Sequence, residues 1–431
     1  MTTIDRWTKG FFHPGPPTPD ADFIAAGHDL FDGAFTYPLM FARQPALDAN
    51  VATMAAFCAG RGLAFAPHIK THMSPSLVRA QLDAGAWGVT VATANQALAA
   101  HAMGAPRILV ANQVLDPTAL RWLAAQHVTI TVDSVIGAET AGAAAEAARV
   151  AAAGTATIAA GVAHVGTAGI AAEAAGMAAA GTAPLIPVLV ELGHAGGRTG
   201  CRTLDDLLVV ATTVHVQPGL RLAGVTGYEG GLSDAASVAS FLDRLRDAAE
   251  AVSGLVDGEI IVSAGGSSWF DVVADRLPGP LGQGRPITAL LRSGAYVSHD
   301  DGYYRERTPF NRLAGEGALH AALGVWAQVL STPEPGIALV GMGKRDVPYD
   351  EGLPEPQRIR RPDGTESGAA GLRVTRVNDH HAYLSTADGQ VSPGDLVLFG
   401  ISHPCTAFDK WRAIPVVDHD GRVSGVLRPH L

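Results

Sequence analysis

The chain has 431 residues, 47% of them apolar and 17% charged, a composition that fits a compact enzyme with a large core and excludes a disordered chain. Its net charge of −10 excludes the basic footprint of a nucleic-acid or anionic-membrane binder. Cys58, Cys201 and Cys405 are too scattered for a disulfide framework, so a cytoplasmic protein with free thiols is expected.

Residues 1–34 carry several prolines and no apolar run of signal-peptide length. Beyond them the pattern is strand then helix. Eight segments read as strands: Leu63–His68, Trp87–Thr93, Arg107–Gln113, Val128–Asp133, Ile186–Leu192, Leu220–Tyr228, Glu259–Ala264 and Thr288–Val297. They are apolar and β-branched without clean alternation, as strands covered on both faces are. Pro75–Ala84, Ala94–Met103, Pro117–Ala125 and Ser134–Ala152 read as helices, with Pro75 and Pro117 suited to first-turn positions. Val150 to Val190 is weakly polar, but His164, Glu173, Pro184 and Pro187 interrupt it. It reads as helix–loop–helix followed by a strand, not as a membrane span.

Eight strand–helix units predict an α/β protein with a (β/α)8 TIM barrel over residues 35–300. The alternative, a doubly wound open sheet, lacks its Gly-rich dinucleotide fingerprint. After residue 300 short strand-like runs appear at Gly336–Val340, Leu372–Val377, Ala382–Ser385, Asp395–Phe399 and Ile414–Val417. They predict a β domain over 301–431, with residues 1–34 packed on it.

In such a barrel the chemistry sits at the C-terminal ends of the strands. Pro67-His68-Ile69-Lys70-Thr71-His72 follows the first strand, so Lys70 is a candidate for a desolvated, reactive amine, against the plain reading of a surface lysine. Other strand ends carry Glu191 and His194 with Arg198 beyond, Tyr228-Glu229, and Arg292 to Tyr296. Ala264-Gly265-Gly266-Ser267 follows the seventh strand. Its glycine N–H groups and the Ser267 hydroxyl suit a phosphate, against an ordinary tight turn. In the β domain, His403 and Cys405 lie two apart after a strand, where alternate side chains share a face, and suit Zn2+ better than a hard cation. Spacing alone would leave them a buried Cys beside a hydrogen-bonded His. Lys344-Arg345-Asp346 reads as a solvated charge cluster, Asp379-His380-His381 as a turn or an added ligand, and His299 to Tyr304 as an interdomain loop or a partner contact.

Taken together these motifs resemble the D-serine dehydratase/D-threonine aldolase family of pyridoxal-phosphate enzymes, over roughly residue 35 to the end. The resemblance implies an alanine-racemase-type barrel with a C-terminal β domain, and a homodimer. It implies Lys70 as the Schiff-base lysine. His68, Arg198, Tyr228, Gly265, Gly266, Ser267 and Tyr296 would bind pyridoxal 5'-phosphate, and His403 with Cys405 a divalent metal, Zn2+ in preference to Mn2+ or Mg2+. Gly341 to Asp346 and Phe408 to Trp411 look like the bacterial D-serine or amino-acid deaminase members. Two features depart from the pattern: a longer connection over Val150–Pro184, and Met73 where many members carry a basic residue.

The implied reaction acts on a small D-β-hydroxy amino acid. Lys70 removes the Cα proton, the metal polarises the β-hydroxyl, and elimination leaves a 2-oxo acid and ammonia. Retro-aldol cleavage to glycine and an aldehyde is the alternative. In the family a thiolate ligand goes with the dehydratase branch and a carboxylate with the aldolase branch, which favours elimination. Arg198 and Arg292 are candidates for an extra substrate carboxylate, as in D-3-hydroxyaspartate, against cofactor or structural roles. A metal-dependent barrel hydrolase would instead use His68, His72, His194 and His403. A non-catalytic pyridoxal-phosphate carrier would need neither His403 nor Cys405.

Overall fold

All eight expected barrel segments form strands of one parallel sheet. A computed structural model describes residues 2–162 and 185–430. They divide into two units, one of residues 60–67 and 87–292, the other of residues 1–59, 68–86 and 293–431.

The first of these units holds the parallel sheet. Its strands are Ala64–Phe65, Val89–Val91, Ile108–Gln113, Thr129–Val132, Ile186–Leu192, Leu220–Gly227, Ile260–Ala264 and Ile287–Leu291. The last pairs with the first, and the others pair in sequence from the second onward. Trp87 N–H donates to Phe65 O at 2.7 Å and Thr90 N–H to Pro67 O at 2.9 Å, so backbone bonds also join the first strand to the second. That closes the barrel. The first strand is shorter than the sequence predicts because Pro67 has no N–H to continue a ladder. The eighth ends at Leu291, before Ser293-Gly294, and not at Val297. Ala66, Leu109, Leu189, Ala223 and Leu290 form a buried cluster in which two alanines pack with three leucines. Each buried leucine contributes about 1.5–3 kcal/mol by leaving water.

Local chemistry sets the helices. Ala94–Ala102 starts where Thr93 accepts from Gln96 N–H, and Pro117–Ala125 where Asp116 accepts from Ala119 N–H. Val135–Val162 runs longer than expected, and the rest of the helix–loop–helix reading falls outside the described residues. Among the described residues no helix is long and apolar enough to cross a membrane.

The other unit is built on an antiparallel sheet. Its longest strand, Leu323–Glu334, pairs with Leu396–Gly400 and with Leu39–Arg43 through one half, and with Ile337–Val340 through the other. The chain's N-terminal residues belong here. Phe11, Phe23, Leu30 and Phe35 are buried in one cluster with Trp326, Leu398 and Val423. Ion pairing adds to it, since Arg428 binds the Asp20 carboxylate through two nitrogens.

Candidate active site

Lys70 lies in a single 3-10 turn, Ile69–Thr71, five residues beyond the first barrel strand. Ile69 and Thr71 are fully buried on either side and pin the turn, while Lys70 itself is exposed. The expectation of a desolvated lysine is therefore corrected. The chain anchors the backbone around Lys70 and leaves the residue exposed, because apolar neighbours flank it in sequence without covering it. His72 is a core histidine. Burial pulls its pKa down to about 4, and its Nδ1 accepts from Ser74 N–H at 3.0 Å. Met73 follows at φ +41, a left-handed conformation that is strained for a bulky side chain.

Residues of the barrel unit form a second group. Arg198 sits 4.7 Å over the Tyr228 ring, and both line a cavity of about 280 Å³ with Glu191 and His194. Arg202 donates to the carbonyls of Gly197, Arg198, Thr199 and Gly200 and so holds the loop that carries Arg198. Asp133 accepts from Gly200 N–H at 2.9 Å and Glu191 from the Thr199 hydroxyl at 3.0 Å. Burial pushes the Glu191 carboxyl pKa up. Arg292 is buried and donates to Thr226, Ser263 and the Gly227 carbonyl. It ties strand ends together.

At the Gly265-Gly266 turn the two N–H groups converge on an anion, as the sequence predicts, but the anion is the Glu229 carboxylate. Ser267 follows, half-buried. Tyr296, expected beside the cofactor, is buried in the other unit, where its hydroxyl accepts from Gln81. His68 lies there too, half-buried, and the Gly294 backbone passes so close that a Cβ on Gly294 would stand 2.3 Å from His68 O.

The third group surrounds His403. A turn, not strand alternation, brings His403 and Cys405 together. His403 Nδ1 bonds Asp350 at 2.9 Å, and Asp350 also accepts from the Thr406 hydroxyl. Burial opposes charge on the His403 ring, but its bonds to Cys405 and Asp350 outweigh burial and raise its pKa to about 9. Tyr303 and Tyr304 each place a ring 5.7 Å from it. Asp300 accepts from the N–H groups of Gly302, Tyr304 and Arg305, and Tyr303 N–H donates to Ser402 O at 2.8 Å, so the backbone under both tyrosines is held. Burial raises Asp300 to about 6.

Asp350, Asp300, Tyr303 and Tyr304 thus join the site, and sequence reasoning gave none of them this place. Only the His299 to Tyr304 run carried a signal, as a polar and aromatic loop of open role. Of Lys344-Arg345-Asp346, the two cations are exposed as expected, but the carboxylate is not. Asp346 is buried, pairs with Lys9 at 2.7 Å and accepts from Gly343 N–H. Asp379 pairs with Arg345 on the surface.

Among the described residues no three His, Cys, Asp or Glu side chains converge as a metal cluster, so the four-histidine hydrolase arrangement is not formed there. His403 and Cys405 do fit a metal as a two-residue donor set. Asp350 holds one ring nitrogen of the histidine, as a carboxylate behind a metal-bound histidine does, and leaves the other beside the thiol. The barrel residues fit pyridoxal phosphate. A half-buried Ser267 follows the glycine turn, and the Tyr228 ring with Arg198 lines a cavity.

The family model for the alanine racemase N-terminal domain matches residues 43–271, and that for the serine dehydratase domain matches residues 322–417. Over 374 residues the chain is 22% identical to the 3-hydroxy-D-aspartate aldolase of Paracoccus denitrificans strain Pd 1222, covering 83% of this chain and 82% of the other. The structure of D-threonine aldolase from Filomicrobium marinum superposes with a TM-score of 0.71 at 22% identity, covering 92% of this chain and 95% of that one. D-threo-3-hydroxyaspartate dehydratase from Delftia sp. HT23 superposes at 0.63 and 24% identity, covering 92% and 98%. A cysteine-to-alanine form of a D-threo-3-hydroxyaspartate dehydratase, with the same score and identity, is described as metal-free. At these identities the likeness is one of fold.

Proposed function

The chain belongs to the D-serine dehydratase/D-threonine aldolase family, with its alanine-racemase-type barrel, and from that premise we propose a lyase that dehydrates D-β-hydroxy amino acids. D-serine would give pyruvate and ammonia. Bound pyridoxal phosphate would supply an electron sink for the pair left at Cα when its proton departs. Lys70 is the residue to hold the cofactor and, as a free amine, to take that proton. Tyr228 and Arg198 wall the cavity, and Ser267 would offer its hydroxyl to the phosphate. His403 and Cys405 would hold a divalent metal, best Zn2+ on this donor set, which supplies Lewis acidity toward the β-hydroxyl.

The observation that carries elimination over cleavage is the state of the carboxylates that interact with His403. Retro-aldol cleavage needs a base for the β-hydroxyl proton. Asp350 is engaged by His403 and Thr406, and Asp300 by three backbone N–H groups. Both are committed to holding the site. Cleavage is kept as the second reading because two of the similar proteins are aldolases.

Products separate the two. Incubation of the cofactor-loaded protein with D-serine is expected to release pyruvate and ammonia in equal amounts, and with D-threonine to release 2-oxobutanoate. Glycine and acetaldehyde as the main products from D-threonine would reverse the choice. A colourless protein, unchanged by added cofactor and by borohydride, would sink the lyase reading altogether.

Asp350 offers a narrower test. Asparagine there keeps a hydrogen-bond acceptor but loses the charge that orients and enriches the His403 ring. Asp350→Asn is expected to weaken metal affinity about 10- to 100-fold, measured by competition with a chromogenic chelator. An unchanged affinity would detach Asp350 from the metal.

A further inference from the structure

We propose that Glu229 is a positioning residue for the turn that receives a phosphate monoester, an inference that rests on the pyridoxal-phosphate reading above. Its side chain is fully buried. One carboxylate oxygen accepts from Gly265 N–H at 3.0 Å and the other from Gly266 N–H at 2.5 Å. Gly265 stands at φ +114, and a Cβ there would lie 2.2 Å from Leu291 Cδ1, so only glycine gives the turn this course.

Burial opposes, and the Glu229 charge favours, the charged form of Arg292. Its guanidinium donates to Thr226, to Ser263 and to the Gly227 carbonyl. The Thr226 hydroxyl in turn donates to Ser263 O at 3.1 Å. Arg292 thus ties the ends of the sixth, seventh and eighth strands, and Glu229 ties the loop after the seventh.

The first two N–H groups of the turn therefore serve the protein, not a ligand. They fix the path of the chain into Ser267, whose hydroxyl follows directly. A phosphate that took these N–H groups for itself would leave a buried carboxylate without its two donors, which is a costly exchange. The geometry favours alignment of the turn by Glu229 over competition for it.

Comparison of two aldehydes isolates this role. Pyridoxal 5'-phosphate and pyridoxal present the same ring and carbonyl, and only the first has a phosphate. Full-length protein stripped of cofactor is titrated with each and followed by visible absorbance. Glu229→Gln is expected to weaken pyridoxal phosphate about ten- to a hundredfold, with pyridoxal affected less than about twofold. Glu229→Asp, which keeps the charge on a shorter arm, is expected to fall between and carries the test if the first variant does not fold. Hydrogen exchange at Gly265 and Gly266 is expected to quicken in both variants while the flanking strands stay protected. Equal losses for the two aldehydes, or no loss in either variant, would overturn the proposal. Tighter binding of pyridoxal phosphate would also overturn it, since it would make Glu229 a competitor. A wild-type chain that takes up neither aldehyde would instead sink the parent reading, and this one with it.

Discussion

Lys70→Ala is expected to lower turnover of D-serine by roughly 10²- to 10⁴-fold, the range set by loss of a positioned base, and to leave the fold intact. The second half of that expectation makes the first decisive. Lys70 is exposed, while the residues that pin its turn, Ile69 and Thr71, are the buried ones. Substitution of an exposed side chain away from caps and networks changes stability by only about 0.5 kcal/mol. A lost activity is then a lost amine. Borohydride reduction followed by peptide mapping is expected to place a pyridoxyl group on the Lys70 peptide of the wild type and on no peptide of the variant. Lys70→Arg keeps the charge but cannot give up its proton near neutrality, and should be as inactive as the alanine variant. A Lys70→Ala protein that keeps a tenth or more of wild-type turnover would remove Lys70 from the chemistry.

Much of this site was legible in the chain because barrel strands announce themselves. Ile186–Leu192 and Pro117–Ala125 begin and end where apolar patterning and capping residues put them. Strand ends then locate the polar residues. What stayed hidden depends on partners far apart in sequence. Leu39–Arg43 becomes a strand because Leu323–Glu334 and Ile414–Val417 pair with it from far along the chain, and no local pattern records that. Asp350 meets His403 across 53 residues. Glu229 was visible as an acid at a strand end, but its role depends on how the chain turns after Gly227. The exposed Lys70 shows the converse error, since apolar neighbours in sequence need not bury the residue they flank.

Cys405→Ala is expected to abolish metal binding and to reduce turnover by about 10³-fold, equivalent to about 4 kcal/mol of lost transition-state stabilisation, while pyridoxal phosphate still binds. The argument begins with the donor count. Among the described residues no three His, Cys, Asp or Glu side chains converge around His403 and Cys405, so removing the thiol leaves the imidazole of the pair alone. That imidazole is poorly prepared to act alone. Its bonds to Cys405 and Asp350 hold its proton, and a metal must displace it. With Cys405 gone, a metal loses its softest ligand and its second anchor together. Excess Zn2+ or Mn2+ should therefore restore little activity. Elemental analysis of purified protein checks the metal, and the visible chromophore checks the cofactor, so the two losses are read separately. Cys405→Asp divides the readings of the reaction itself. If the thiolate merely holds the metal, a carboxylate at this position should recover metal content and part of the dehydration. If the ligand type selects the bond that breaks, the variant should bind metal and shift product from pyruvate chemistry toward glycine. Full dehydratase activity in a metal-free Cys405→Ala protein would take the metal out of the mechanism and leave His403 as an acid–base residue oriented by Asp350.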